Sequence, residues 1–159
     1  NGLRTTAWGE ADHAQREARR TDMRETARKV LGHVRHGVGH HYWVSLVRDA
    51  GQLESFRTVF GDERPDYNSA LQHYYANPPP ADWQQNYISA YATSHPWEDF
   101  AETWAHYLHM VDTLEVAHAF DVRTRPSLAE DELLNTEVPF DQYDVADTEK
   151  LVQAWCALS

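Results

Sequence analysis

The chain is poor in cysteine, in basic residues and in long apolar runs. Its 159 residues include one cysteine, Cys156, which excludes an internal disulfide and a cysteine-based zinc ribbon. The 14 Lys and Arg residues face 25 Asp and Glu, so we expect no nucleic-acid partner, because phosphate contacts need a basic face. No apolar run reaches the length of a membrane span and no basic-then-apolar leader opens the chain. We therefore expect no membrane partner and a cytoplasmic location.

Apolar residues make up 42% of the chain and aromatic residues 12%, which indicates a globular fold rather than a disordered one. The length fits a single domain over residues 1–159 that buries its own core. Helical spacing of apolar residues predicts helices near residues 22–48, 52–60, 66–76, 82–91, 97–120 and 147–158. Rough alternation over residues 3–8 predicts one short strand. The fold class expected is mainly α, with a small edge strand or sheet.

The first of these helices carries His36 and His40, four residues apart. This spacing puts two imidazoles on one face of a helix, where both can bind the same metal ion. In the zinc peptidase signature H-E-x-x-H, a glutamate that acts as general base follows the first histidine. Gly37 occupies that position here. Gly37 and Gly39 each cost the helix about 1 kcal/mol relative to alanine, so we expect a specific reason for each.

A second polar stripe lies on the predicted helix 97–120. Its members, spaced four, four and three residues apart, are Glu98, Glu102, His106 and His109. Aromatic residues flank the stripe, so it should be partly buried, and buried charges need partners or a metal. Two facing helices would supply His36, His40 and Glu98 as three ligands, with a fourth position open for water. Glu102 and His106 would lie behind the ligands, and Glu102 would accept the free N–H of a ligand histidine.

Four runs of the sequence resemble a bacterial zinc-binding metallopeptidase family of the gluzincin-type zincins. They are GHVRHGVGHHYW (residues 32–43), FGDER (60–64), PADW (80–83) and HPWEDFAETWAHYLH (95–109). The resemblance implies an α+β zincin-like catalytic domain with Zn²⁺ bound by His36, His40 and Glu98. It also implies that Tyr91 stabilises the oxyanion and that a peptide lies along the strand at residues 3–8. Family members have an N-terminal zinc ribbon and a longer final segment, so we expect this chain to be a fragment.

The family has glutamate where this chain has Gly37, so the resemblance implies a zinc-dependent hydrolase with impaired or altered activity. Three hypotheses follow. Gly37 is an inactivating change in a peptidase; the chain is a pseudoenzyme that binds zinc and peptides; or the site hydrolyses esters or phosphoesters without a protein base. The partner expected is a peptide or another small hydrolysable substrate. Two other classes stay open, namely a helical bundle that holds two metal ions and a metal-free structural module.

Overall fold

The computed structural model describes residues 30–123, 138, 141–144 and 147–158. Within them five α-helices follow one another in the order α1 Val30–Trp43, α2 Leu53–Phe60, α3 Tyr67–Ala76, α4 Pro96–Ala119 and α5 Thr148–Leu158. A π-helical turn, Val44–Arg48, follows α1, and two 3₁₀ turns, Trp83–Gln85 and Tyr91–Ser94, precede α4. The chain divides into two compact units, one ending at His106 and one beginning at Tyr107.

The expected α+β character, with a small edge strand or sheet, is wrong for the residues that the structure describes, because these contain helices and turns and no strand. The physical reason is the spacing of the buried positions. Along α4 the buried residues Ala101, Val111, Leu114 and Ala117 recur at helical rather than alternating intervals. The mainly α part of the prediction agrees with the structure. The strand predicted at residues 3–8 and the start of the first predicted helix lie outside the described residues.

Helices α1 and α4 are in close contact at Gly39. A Cβ atom built on Gly39 would lie 3.1 Å from the Cα of Ala101 and 3.2 Å from the Cβ of Trp104. Ala101 is fully buried at this crossing. A side chain at position 39 would therefore force the helices apart, which explains why a glycine is present there despite its cost to the helix. The close approach brings the His36 and His40 face of α1 against the first turns of α4.

Aromatic side chains form the core of the first unit. Phe56 of α2 is 4% exposed and stacks on Phe60 with ring centroids 5.1 Å apart. It also contacts Trp43 at 5.7 Å and Phe100 at 6.1 Å. Aromatic contacts of this kind contribute beyond the apolar area that they bury. The α2 helix is thereby anchored to both α1 and α4.

The helix expected over residues 82–91 is wrong. Only Trp83–Gln85 forms a 3₁₀ turn there, and the Asp82 side chain makes no capping hydrogen bond. Tyr87 and Ile88 are exposed, so these two apolar side chains gain no burial that would stabilise a helix here. The other described helices match their predictions closely. Pro96 is the first residue of α4, a position that proline favours because it needs no N–H there.

The second unit has its own small apolar cluster. Leu114 and Ala117 of α4 pack with Val138 and with Leu151 of α5, and Trp155 lies against this group. The Nδ1 atom of His118, on α4, lies 2.5 Å from the carbonyl oxygen of Val138. This contact holds Val138 against α4. Among the described helices, none is sufficiently long and apolar to cross a membrane.

Candidate metal centre

His36 and His40 occupy successive turns of α1, and the glycine at position 39 lets that face of the helix lie directly on α4. His36 is 6% exposed. The Nε2 atoms of the two imidazoles are 3.0 Å apart. The two rings meet edge to face, with centroids 4.7 Å apart. The Trp97 ring packs on the His40 imidazole, with ring centroids 4.3 Å apart. The Nε2 atoms of His36 and His40 therefore lie close together, and the apolar ring of Trp97 packs on His40.

Glu98 lies in the first turn of α4 and is 1% exposed. Its Oε2 atom is 2.9 Å from the Nε2 of His36, and its Oε1 atom is 3.4 Å from the Nε2 of His40. Burial by itself raises the pKa of Glu98, but the contacts with His36 and His40 lower it by more. The net direction is downward, so Glu98 is a carboxylate at neutral pH.

The three side chains fit a bound cation in kind and in spacing. One donor atom from each of His36, His40 and Glu98 lies within 4.8 Å of the others. Two ligand atoms held at about 2.0–2.1 Å from one tetrahedral Zn²⁺ are about 3.3 Å apart, close to the separations found here. Glu98 Oε2 is buried and has no hydrogen-bond partner within the described part of the chain. A cation between the three atoms would satisfy it.

Glu102 supports His36 from behind. Its Oε1 atom is 2.6 Å from the Nδ1 of His36, and its Oε2 atom accepts a 2.8 Å hydrogen bond from the Ser89 hydroxyl. The carboxylate can accept the His36 Nδ1 proton, which would leave the Nε2 lone pair available to a cation held with His40 and Glu98. His40 has no such support, because its Nδ1 is buried without a hydrogen-bond partner in the residues that the structure describes. Glu102, which was expected behind the ligands, contacts His36 at Nδ1, and its role stays a prediction.

Tyr67, at the first position of α3, is a site residue that the sequence analysis missed. Its hydroxyl donates a hydrogen bond to Glu98 Oε1. Burial and the Glu98 carboxylate raise the pKa of Tyr67, so the hydroxyl stays protonated and remains a donor. The residue lies far from both metal-binding motifs in the sequence. The only signals near it are the FGDER run and the Asp66 cap of α3, and neither singles out this tyrosine.

The remaining predicted site residues are placed as follows. Tyr91 lies beside the centre, with its ring centroid 6.1 Å from that of His36. Gly37 is buried on α1. The Nδ1 of His106 lies 2.8 Å from the backbone carbonyl oxygen of Glu102, so this histidine is held by the main chain one turn earlier. The roles assigned to these residues stay predictions.

Asp99, next to Glu98 on α4, is a further buried carboxyl group at 8% exposure. Burial raises its pKa from 3.8 to about 6; a hydrogen bond from Thr103 opposes this shift and the charge of Glu102 adds to it. Asp99 and Glu102 are thus two carboxyl groups held close together on one helix. Their environments differ, because Glu102 has His36 and Ser89 as partners.

Comparison with known proteins gives a family and three relatives. A model of the family described as "Putative zinc-binding metallo-peptidase" matches residues 1–159. Uncharacterized proteins of Mycobacterium bovis and of two strains of Mycobacterium tuberculosis are 44% identical to the chain over 118 residues. These matches cover 74% of this chain and 35% of each relative, so the chain spans about a third of the length of those proteins. No solved structure matches the chain.

Proposed function

The chain belongs to the zinc-binding metallopeptidase family, and from this premise we propose that it is a zinc-dependent hydrolase of the metallopeptidase type with weakened activity. The observation that carries the proposal is the convergence of one donor atom each from His36, His40 and Glu98. In this proposal the three side chains hold one Zn²⁺ ion. A peptide, or another small hydrolysable molecule, is the substrate.

Bound zinc would act as a Lewis acid toward a carbonyl oxygen and lower the pKa of water. The protein's own contribution is to fix the ligands. Glu102 keeps the His36 proton on Nδ1, and Ser89 keeps Glu102 in place. Since support of this kind changes metal affinity or activity by about 10–100-fold, Glu102 is part of the proposed centre rather than an incidental neighbour.

Gly37 is the reason for proposing weakened activity. In the related motif H-E-x-x-H the residue at this position is the general base, which takes a proton from water. A glycine has no side chain that can do so. General acid–base catalysis contributes about 10²–10⁴-fold to a rate, and we propose that this chain lacks that factor for peptide cleavage.

Tyr91 is proposed to contact the substrate. Its ring lies beside His36, and a tyrosine hydroxyl near the carbonyl oxygen can stabilise the charge that develops there.

The test compares Gly37→Glu with Gly37→Gln. The two variants place side chains of nearly equal size at position 37, and only the first offers a carboxylate. Zinc content is measured by elemental analysis, and cleavage by release of peptides from unfolded casein. We expect one zinc per chain in the unaltered protein and in both variants. We also expect Gly37→Glu to cleave about 10²–10⁴-fold faster than Gly37→Gln.

Two outcomes would contradict the proposal in different ways. If the unaltered protein binds no zinc, the metal centre itself is wrong. If all three proteins bind zinc and Gly37→Glu cleaves no faster than Gly37→Gln, the site is not a peptidase centre lacking its base. A zinc-containing protein that binds peptides without cleaving them is then the better description.

A further inference from the structure

A tyrosine joins the first turn of α3 to the candidate metal centre. The hydroxyl of Tyr67 donates a hydrogen bond to Glu98 Oε1. We propose that Tyr67 is a positioning residue of the metal centre, which holds Oε1 of Glu98 so that Oε2 lies against His36. This inference rests on the proposed function, because it assumes that Glu98 is a zinc ligand.

The position of Tyr67 is set by contacts on several sides. Asp66 caps α3 by accepting a 2.8 Å hydrogen bond from the backbone N–H of Ser69, which fixes the helix start at Tyr67. The Tyr67 ring packs edge to face on His95 and on Trp97, each with centroids 5.4 Å apart. Both residues lie at the start of α4, next to Glu98. The hydroxyl of Tyr67 is therefore placed by the same helix end that carries its acceptor.

His95 strengthens this arrangement. Its Nδ1 accepts a 3.1 Å hydrogen bond from the backbone N–H of Trp97, which puts the ring proton on Nε2. The Nε2 lies 3.3 Å from the carbonyl oxygen of Pro65, two residues before Tyr67. His95 is 5% exposed. The segment leading into α3 is thus tied to the first turn of α4 through a buried imidazole, and the Tyr67–Glu98 contact lies within that junction.

The consequence for Glu98 follows from its two equivalent oxygens. A buried carboxylate with both oxygens unconstrained could rotate or offer either atom to a metal. The Tyr67 hydroxyl forms a charge-assisted hydrogen bond with Oε1, and this leaves Oε2 as the atom nearest His36 at 2.9 Å. Ligating carboxylates are generally held by such hydrogen bonds, and losing one lowers metal affinity by about 10–100-fold.

The test measures the zinc dissociation constant of Tyr67→Phe by competition with a chromophoric chelator at neutral pH, in the absence of substrate. The expected result is binding about 10–100-fold weaker than in the unaltered protein. Tyr87→Phe removes a hydroxyl from an exposed loop tyrosine and serves as the matched control, with unchanged affinity. The melting temperature of each protein in excess chelator reports separately on the fold.

A second variant distinguishes positioning from a structural role. Tyr67 acts through Glu98 in this proposal, so Tyr67→Phe should have no further effect on zinc affinity once Glu98 is already alanine. A structural contribution of the Tyr67 ring would instead give independent, additive losses.

Two results would overturn the role of Tyr67 and leave the proposed function standing. One is a zinc affinity of Tyr67→Phe within about twofold of that of the unaltered protein, and the other is additive effects of the two substitutions. Absence of zinc binding in the unaltered protein would overturn both. The expected losses, with an unchanged melting temperature in chelator, support the role of Tyr67.

Discussion

Gly39 lies at the contact between α1 and α4 beside the candidate centre, and replacing it with alanine tests that contact directly. Two effects oppose each other. Alanine favours a helix over glycine by about 1 kcal/mol. The added Cβ would lie 3.1 Å from the Cα of Ala101, whereas ordinary contact begins at 3.4 Å, so the two helices must separate by at least 0.3 Å at this point. Overpacking of this kind costs about 1–3 kcal/mol.

Gly32→Ala is the comparison variant. Gly32 lies two turns earlier on α1, where it is half-buried, and this variant also replaces a helical glycine with alanine. The difference between the two variants is then mainly the overpacking at position 39, and Gly39→Ala should be about 1–3 kcal/mol less stable than Gly32→Ala. Urea unfolding followed by circular dichroism, in excess chelator, measures both free energies.

The zinc affinity of Gly39→Ala should fall by less than about tenfold, because a displacement near 0.3 Å stays within the half-ångström tolerance of a positioned site. The reasoning is refuted if Gly39→Ala and Gly32→Ala have free energies of unfolding within about 0.5 kcal/mol of each other. That result would mean that α1 and α4 do not meet at Gly39 in solution.

Two further predictions concern carboxyl groups on α4. Glu102→Gln keeps an acceptor for His36 but loses the charge, so zinc should bind about tenfold more weakly than to the unaltered protein. The surface variant Glu115→Gln is the control and should bind zinc with unchanged affinity. Equal zinc affinities of the two variants would exclude Glu102 from the centre. For Asp99, the raised pKa means that the folded protein holds a proton that the unfolded chain releases between pH 3.8 and about 6. The ionised group therefore destabilises the fold above that range and not below it. Asp99→Asn should add about 1–2 kcal/mol of stability near pH 7.5 and almost none near pH 4, as measured by urea unfolding in chelator. A gain that is equal at both pH values would contradict the assigned cause.

Much of the candidate centre could be predicted because its chemistry follows helical spacing. His36 and His40 are separated by one turn, and Glu98 and Glu102 are separated by one turn on another helix. Pairing the two stripes needed only the rule that buried charges require partners. The structure places all four side chains together.

Tyr67 and Ser89 could not be found in the same way, because each acts from a segment without a pattern of its own. Tyr67 reaches Glu98 across 31 positions of sequence. Ser89 lies in a stretch that was expected to be helical and that instead forms irregular turns, where its hydroxyl accepts a 3.1 Å hydrogen bond from the backbone of Ala92. Such contacts depend on how segments pack, and no local periodicity encodes them.

For Gly39, the sequence could predict that the residue matters but not why. The sequence indicated that a glycine inside α1 must have a reason, but not whether the reason was catalytic or steric. The close approach of Ala101 supplies a steric reason for Gly39. The reason for Gly37, two residues away, is a matter for the activity measurements.

The candidate ligands are held by other protein groups and not only by one another. Glu102 contacts His36 at Nδ1, on the side of the ring away from Nε2, and Tyr67 donates a hydrogen bond to Glu98. Side chains restrained in this way lose less conformational freedom when they bind an ion, so less of the binding free energy is spent on ordering them.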